Sequence, residues 1–397
     1  MNTLISTDPI VVVACARTPI GAFQGELIKL TAPQLGAAAI AATLSRSGLA
    51  ADQIDEVLMG CVLPAGQGQA PARQAALNAG LAESTACTTV NKMCGSGMRT
   101  VMTAYDMLLA GSANIVIAGG MESMSNAPYL LLKARSGCRL GHAVLYDHMM
   151  LDGLENSKGQ AMGLFGEACA EKYQFTRAQQ DDYALRSIER AQHAAAKGLL
   201  TWEIAPLDLP QKKGEVIVID SDEGPRRSKV ASVPQLKPAF KADGTITAAS
   251  SSSISDGAAT LMLMRRSYAK RLGIQPLARI VGHSTWAQAP DWFTTAPIGA
   301  IRKLLSTIGW QTTAVDLWEI NEAFAVVPMA AIHDLDLSID AVNIHGGACV
   351  LGHPVGASGA RIMVSLLNAL RQTGKQRGIA SLCIGGGEAT AVALELE

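Results

Sequence analysis

Val90-Asn91-Lys92-Met93-Cys94-Gly95-Ser96-Gly97-Met98-Arg99 opens an apolar helical stretch, which leads to a strand-like run at 115–118 and to Gly119-Gly120. The same landmarks return in the same order near the other end of the chain. Val342-Asn343 leads to Cys349, then to Ser358-Gly359-Ala360-Arg361, an apolar helical stretch, the run 381–384 and Gly385-Gly386-Gly387. Extra residues precede the second helix and strand, but the order is kept. A repeated succession of strand, turn, helix and strand points to two related halves, each burying apolar surface in a shared core. The second half starts at about Pro276.

Outward from these two stretches, strand-like runs fall at 10–14, 56–61, 114–118, 261–264, 279–282, 316–320, 380–384 and 391–396. Amphipathic stretches lie between them at 33–47, 97–110, 178–197, 297–308, 322–333 and 359–372. Strand–helix alternation with nearly continuous apolar strands predicts α/β layers with largely parallel pairing. The segment 121–247 echoes nothing in the second half and is rich in turn residues, with loop-like stretches at 123–126, 211–214 and 222–227. It is expected to be an inserted loop domain, flanked by an N-terminal half (1–120, completed by 248–275) and a C-terminal half (276–397).

Composition narrows the function classes. At 397 residues and 49% hydrophobic, the chain can bury about three-quarters of its extended surface and needs no disulfide or metal staple. A charged fraction of 17% and a net charge of -1 exclude a disordered chain and give no basic field for nucleic acid. No apolar run is long enough to span a bilayer, and Met1 to Asp8 carries no leader pattern, so a cytoplasmic location is expected. The eight cysteines (15, 61, 87, 94, 138, 169, 349, 383) are scattered singly, as free thiols in a reducing compartment would be.

Four residues stand where ligands gather in α/β folds, at strand ends and helix starts. Cys94 precedes an apolar helix, whose N-terminal N–H groups favour thiolate over thiol. His353 sits in the Gly-rich run Gly352-His353-Pro354-Val355-Gly356-Ala357-Ser358-Gly359. Cys383 ends a strand just before three glycines, whose bare N–H groups suit an oxyanion. Asn321, in Asn321-Glu322-Ala323-Phe324, follows a strand and otherwise reads as a helix N-cap. The spacing of His345, Cys349 and His353 invites a metal reading, but Gly346, Gly347, Gly352 and Pro354 forbid one continuous helix, so no metal site is expected.

Together these blocks resemble the four catalytic blocks of the thiolase family, in order, most closely in its bacterial acetyl-CoA acetyltransferase type; the similarity runs from Val11-Val12-Val13-Ala14-Cys15-Ala16-Arg17-Thr18-Pro19 to the C-terminus. The resemblance implies two similar βαβαβαββ halves in a layered α-β-α-β-α core, with the inserted loop domain holding coenzyme A. It also implies reversible Claisen condensation of two acetyl-CoA to acetoacetyl-CoA and CoA, by a ping-pong route through acyl-Cys94. The alternative is a 3-ketoacyl-CoA thiolase acting on longer or functionalised chains. In this scheme Cys94 is the nucleophile, His353 accepts its proton and Cys383 is the acid/base. His353 and a water on Asn321 hold the enolate oxygen, and the Cys94 and Gly385 N–H groups hold the tetrahedral oxyanion.

Coenzyme A is then substrate and product, and no cofactor is needed. Ser252, Arg226 and Met162 match family positions near the CoA chain, and a homotetramer built as a dimer of dimers follows from the family. A non-catalytic CoA-binding member is disfavoured because all four catalytic residues are present. Three departures bear on acyl-chain preference: Ala161-Met162 in place of a His-Met pair, the serine-rich 249–257, and Glu388 after the glycines where Met or Gln is common.

Overall fold

Alternation along single strands shows how the layers are built. The computed structural model describes residues 8–210 and 215–397; the chain start at 1–7 and the loop-like stretch at 211–214 lie outside them. In β1 (Ile10–Arg17), Ile10 and Val12 pack into one apolar cluster while Val11 and Val13 pack into another, so the strand is buried on both faces. The first half also supplies β2 (Glu56–Gly60), β3 (Ala86–Val90) and β4 (Ile115–Ser123), with helices α1 (Ala32–Ser47), α2 (Pro71–Asn78) and α3 (Ser96–Ala110). After a long excursion carrying α4 (Met162–Tyr173) and α5 (Arg177–Ala196), β5 (Ser255–Arg265) completes it. The second half contributes β6 (Ala278–Ala287), β7 (Leu317–Ile320), β8 (Arg377–Ile384) and β9 (Glu388–Leu396), with α6 (Ala296–Ile308), α7 (Val326–Leu335) and α8 (Ser358–Thr373).

Strand order is β3-β2-β4-β5-β1 in the first half and β7-β8-β9-β6 in the second, and the two join where β1 pairs β6 at Val11–Arg279 and Val12–Ala278. A parallel bridge from Trp318 to Val342 occupies the place beside β7 that β3 holds beside β2. The repeated landmarks in the sequence are therefore a repeated topology. The inner cluster unites alternate residues of both halves with Met98, Val101 and Met102 of α3 and Ile362, Met363 and Leu366 of α8. A second cluster packs α1 and α2 on the outer face of the first half, and a third packs α6 and α7 on the outer face of the second. The result is five layers, α-β-α-β-α.

Pairing differs from the expected largely parallel pattern. Among these described strands, β2–β3, β2–β4 and β7–β8 are parallel, whereas β4–β5, β5–β1, β1–β6, β6–β9 and β9–β8 are antiparallel. Three glycines join β8 to β9, and so short a link allows only a hairpin. The inserted segment likewise leaves at Ser123 and returns opposite it at Asp256, so β5 must run back along β4. The helix expected at 322–333 instead spans Val326–Leu335. Pro328 lacks an N–H and fits the first turn, while Glu322 is held outside the helix as an acceptor for Tyr183, Ser187, Asn343 and the Cys349 N–H.

Candidate active site

Two helix starts meet at the centre of the molecule, and glycine permits the meeting. A Cβ on Gly97 would stand 2.9 Å from the Gly356 carbonyl oxygen, and one on Gly359 would stand 2.4 Å from the Met98 nitrogen. The Cys94 turn and the His353 loop therefore touch backbone to backbone. Val355 packs with Met93 and Cys94 in one apolar cluster over Val62 and Leu63. Beneath them the buried Glu122 carboxylate accepts from the N–H groups of Val62 (2.9 Å), Leu63 (3.1 Å) and Gly356 (2.9 Å), binding the Val62-Leu63 loop and the His353 loop to the end of β4. Burial pushes Glu122 up to about 7, against the pull of those three amides.

Cys94 and Cys383 lie far apart in sequence but close in space. A Cβ on Gly95 would fall 2.3 Å from Ile384 Cδ1, so the Cys94 turn is seated directly on the end of β8. The Cys94 thiol is raised by burial and pulled back by the N–H groups of Gly385 and of Cys94 itself. This corrects the expectation that the helix start favours thiolate: desolvation outweighs the amide donors, and Cys94 rests as a thiol. Cys383 is fully buried, and its thiol is raised well above its ordinary value by burial first and then by its nearness to Cys94, since two neighbouring thiols resist ionising together.

The hydrogen bonds of His353 define its tautomer. Ser358 Oγ donates its single proton to the Pro354 carbonyl at 3.0 Å and lies 2.6 Å from His353 Nδ1. With that proton on the carbonyl, the hydroxyl accepts from Nδ1–H, which assigns the lone pair to Nε2. Nε2 is buried and has no partner among the described residues. Burial and the nearby Arg361 cation push the imidazole down to about 3, so it stays neutral and able to accept a proton.

Asn321 follows β7, and its N–H donates to the Ser381 carbonyl at 3.0 Å, which holds it beside the end of β8. Its Oδ1 accepts from Arg361 at 3.3 Å, leaving the buried Nδ2 with no partner among the described residues. Two orphaned polar groups, one acceptor and one donor, would cost about 1–3 kcal/mol each unless a ligand used them. The N-cap reading of Asn321 does not hold, because α7 starts five residues later.

The serine-rich segment is stitched to both loops. Ser252 N–H donates to the Ala323 carbonyl at 3.0 Å, and the His353 N–H donates to the Ser253 carbonyl at 3.0 Å. A cavity of about 350 Å³ opens here, bordered by Ala249, Ser253, Val350, Arg227 and Lys229. Ser252 is half-buried and lies outside the lining, next to Ser253 in sequence. Arg226 turns away and pairs through both guanidinium arms with Glu26, so the basic residues lining this cavity are Arg227 and Lys229. A second cleft of about 590 Å³ runs past Met93, Met162, Phe165, Ala289 and Gly385. Met162 Cε lies 3.5 Å from where a Cβ on Gly385 would stand, at the margin of the two sulfurs.

Cys94, Gly385, Cys383, His353 and Asn321 thus converge, with Met162 and Ser252 at the edges. Ser358, Glu122 and Arg361, which set the state of these groups, escaped the sequence reading. Ser358 stood inside a quoted block, but only its distance to Nδ1 reveals its part. Glu122 and Arg361 carry charge, and nothing local marks them as buried.

Known proteins share this chain's sequence pattern and fold. Residues 10–267 match the family model for the thiolase N-terminal domain, and residues 274–396 match that for the thiolase C-terminal domain. Acetyl-CoA acetyltransferase 2 of Arabidopsis thaliana is 48% identical over 400 residues, covering 100% of this chain and 99% of the relative. Acetyl-CoA acetyltransferase of Pseudomonas aeruginosa is 44% identical over 387 residues, covering 97% of this chain and 98% of the relative. The crystal structure of the Bacillus anthracis acetyl-CoA acetyltransferase superposes with a TM-score of 0.95 at 38% identity, covering 98% of this chain and 99% of that one. With both halves matched, the fold shared and two thiols brought together at the joint between the halves, the chain belongs to the thiolase family.

Proposed function

We propose that this chain is an acetyl-CoA C-acetyltransferase, joining two acetyl-CoA into acetoacetyl-CoA and free CoA and running the reverse thiolysis. The observation that carries the reading is the Cys94 sulfur under two amide donors, its own and that of Gly385, with the Cys383 thiol beside it. Cys94 Sγ adds to the thioester carbonyl while its proton passes to His353 Nε2. The two amides hold the oxyanion, each such donor contributing about 3 kcal/mol. Cys383 gives its proton to the departing CoA thiolate, leaving a thiolate–imidazolium pair.

A second acetyl-CoA then loses a methyl proton to Cys383. The burial that makes this thiol reluctant to ionise makes its thiolate a stronger base. The enolate oxygen is met by the imidazolium and by a water held on Asn321 Nδ2. The enolate carbon attacks the acyl carbonyl, and the Cys94 sulfur leaves and recovers its proton from His353. Protons and charges balance over the cycle, and no cofactor enters it.

The CoA chain is assigned to the cavity beside Ser252 and Ser253, within reach of residues from the inserted segment 121–247. Arg227, paired with Glu223, and Lys229 line this cavity and suit its phosphates, whereas the Glu26-paired Arg226 does not line it. Eight free thiols suit a cytoplasmic location. Leu140, 97% exposed, with Val144 and Leu145 beside it, suits burial in a homotetramer. A second reading, cleavage of longer 3-ketoacyl-CoA chains, draws support from the roomy cleft past Met93 and Phe165.

Labelled acetyl-CoA is expected to leave a stable label on Cys94 that Cys94→Ala abolishes; an unlabelled intact protein refutes the enzyme reading. Thiolysis of acetoacetyl-CoA is expected to outpace that of 3-ketohexanoyl-CoA. A strong preference for the longer chain overturns the acetyl assignment in favour of the second reading.

A further inference from the structure

Lys92 stands two residues before Cys94, and Glu388 three residues after Gly385. Their side chains form an ion pair across the joint between the halves, partly shielded at 22% and 35% exposure. Each partner roots one of the two turns whose amides face the Cys94 sulfur. On the first turn, Gly95 N–H donates to the Lys92 carbonyl at 3.0 Å, and Lys92 N–H donates to Ser96 Oγ at 2.8 Å. Any shift of Lys92 therefore moves the Cys94 N–H.

On the second turn, Glu388 is the cross-strand partner of Ile384, and Gly386 (φ 97°) and Gly387 (φ 89°) lie in the bend between them. Glycines in sequence give that bend little stiffness of its own. Besides the Gly385 N–H facing the Cys94 sulfur, the turns are tied to each other by Gly95 seated on Ile384 and by the Lys92–Glu388 pair. The charge acting most strongly on the Cys94 thiol is Glu122 rather than either member of this pair.

We propose that Lys92 and Glu388 are positioning residues, an electrostatic latch that sets the Cys94 and Gly385 amides at the separation an acyl oxyanion requires. The inference rests on the acyl-transfer reading above. A half-exposed ion pair adds little to global stability. A displacement of about 1 Å in a preorganised donor is nonetheless felt up to about a hundredfold in rate.

The test uses the full chain as Glu388→Gln, Lys92→Met, Lys92→Arg and the charge swap Lys92→Glu/Glu388→Lys. Single-turnover acetylation of Cys94 by acetyl-CoA is read by mass, alkylation by iodoacetamide runs in parallel, and a thermal melt reports folding. Both neutral variants are expected to lose about ten- to a hundredfold in acetylation. Alkylation, whose transition state has no oxyanion and which loses only the amides' pull on the thiol, should fall several-fold less than acetylation does. The swap and Lys92→Arg should restore most of the lost acetylation.

Acetylation unchanged in both neutral variants overturns the latch. So do opposite shifts in Glu388→Gln and Lys92→Met, which would mean that charge acts on the thiol itself. An equal loss of alkylation and acetylation, or a swap and a Lys92→Arg variant that recover nothing, also sinks it. Failure of the unmodified chain to take an acetyl group would instead refute the acyl-transfer reading, so the two failures are distinguishable.

Discussion

Replacing Ser358 by alanine removes a 2.6 Å partner from His353 Nδ1 and leaves most else in place. Ser358 opens α8, but the residue before it, Ala357, makes no side-chain cap bond, so the helix itself should lose little. The imidazole is buried, and its Nδ1–H would be left without an acceptor, at a cost of about 1–3 kcal/mol. The cheapest escape is to move the proton to Nε2, the atom proposed to receive the Cys94 proton. A tautomer bias of that size reversed or abolished corresponds to roughly a ten- to hundredfold loss in acetylation rate. Apparent affinity for acetyl-CoA should change by less than about threefold, because Ser358 acts through the base rather than on the substrate. Rapid-quench acetylation measures the rate, and urea melts measure the stability loss of about 1–3 kcal/mol. A variant that acetylates within about twofold of the parent while losing that stability would refute the tautomer argument, since the bond would then be structural only.

Other perturbations separate the remaining parts. Cys383→Ala should slow carbon–carbon bond formation and cleavage far more than acetyl transfer to Cys94; equal loss in both half-reactions would undo the division of labour between the thiols. Gly95→Ala places a methyl 2.3 Å from Ile384 Cδ1, prising the two turns apart at about 1–3 kcal/mol, so a calorimetric scan showing full stability would count against the seating described here. His353 bears on acid stability, with its native value about 3 against an ordinary 6.5. Below 6.5 the unfolded chain takes a proton that the folded chain refuses, so this contribution is present above 6.5 and lost as pH falls toward 3. His353→Asn should flatten the stability–pH slope there by up to about 1.4 kcal/mol per unit, and equal slopes from chemical denaturation would contradict the buried neutral imidazole.

Glu319 acts with the opposite sign. Burial pushes it up to about 8 despite the Arg361 cation 3.6 Å away. The native state keeps a proton that the unfolded chain has already released, so stability should fall as pH rises from about 4.5 through about 8. Removing the titration with Glu319→Gln should flatten that fall in urea melts, and an unchanged slope would argue that Glu319 is ionised throughout.

Chemistry written into short contiguous blocks was readable without a fold. Cys94, His353, Cys383 and Asn321 each sit in a run with its own turn residues, and the doubled order of landmarks announced two related halves. The edge strand Ala86–Val90 went unread because it is short and half polar, and α2 because it is only eight residues long. The pairing direction went astray because local periodicity reports burial on both faces, not which way a neighbour runs. Arg226 and Arg227 are adjacent and alike in sequence, and only the fold separates them, pairing one with Glu26 and the other with Glu223 beside the cavity.

Amino-acid order alone therefore determined which groups this protein can bring to a reaction and that its two halves share one plan, because residue type and local turn chemistry are properties of a few consecutive positions. The ionisation and aim of those groups came only from the folded molecule. Whether Cys94 rests as thiol, which imidazole nitrogen is free, and which amides face the sulfur depend on burial and on partners drawn from opposite halves, at distances that only packing defines.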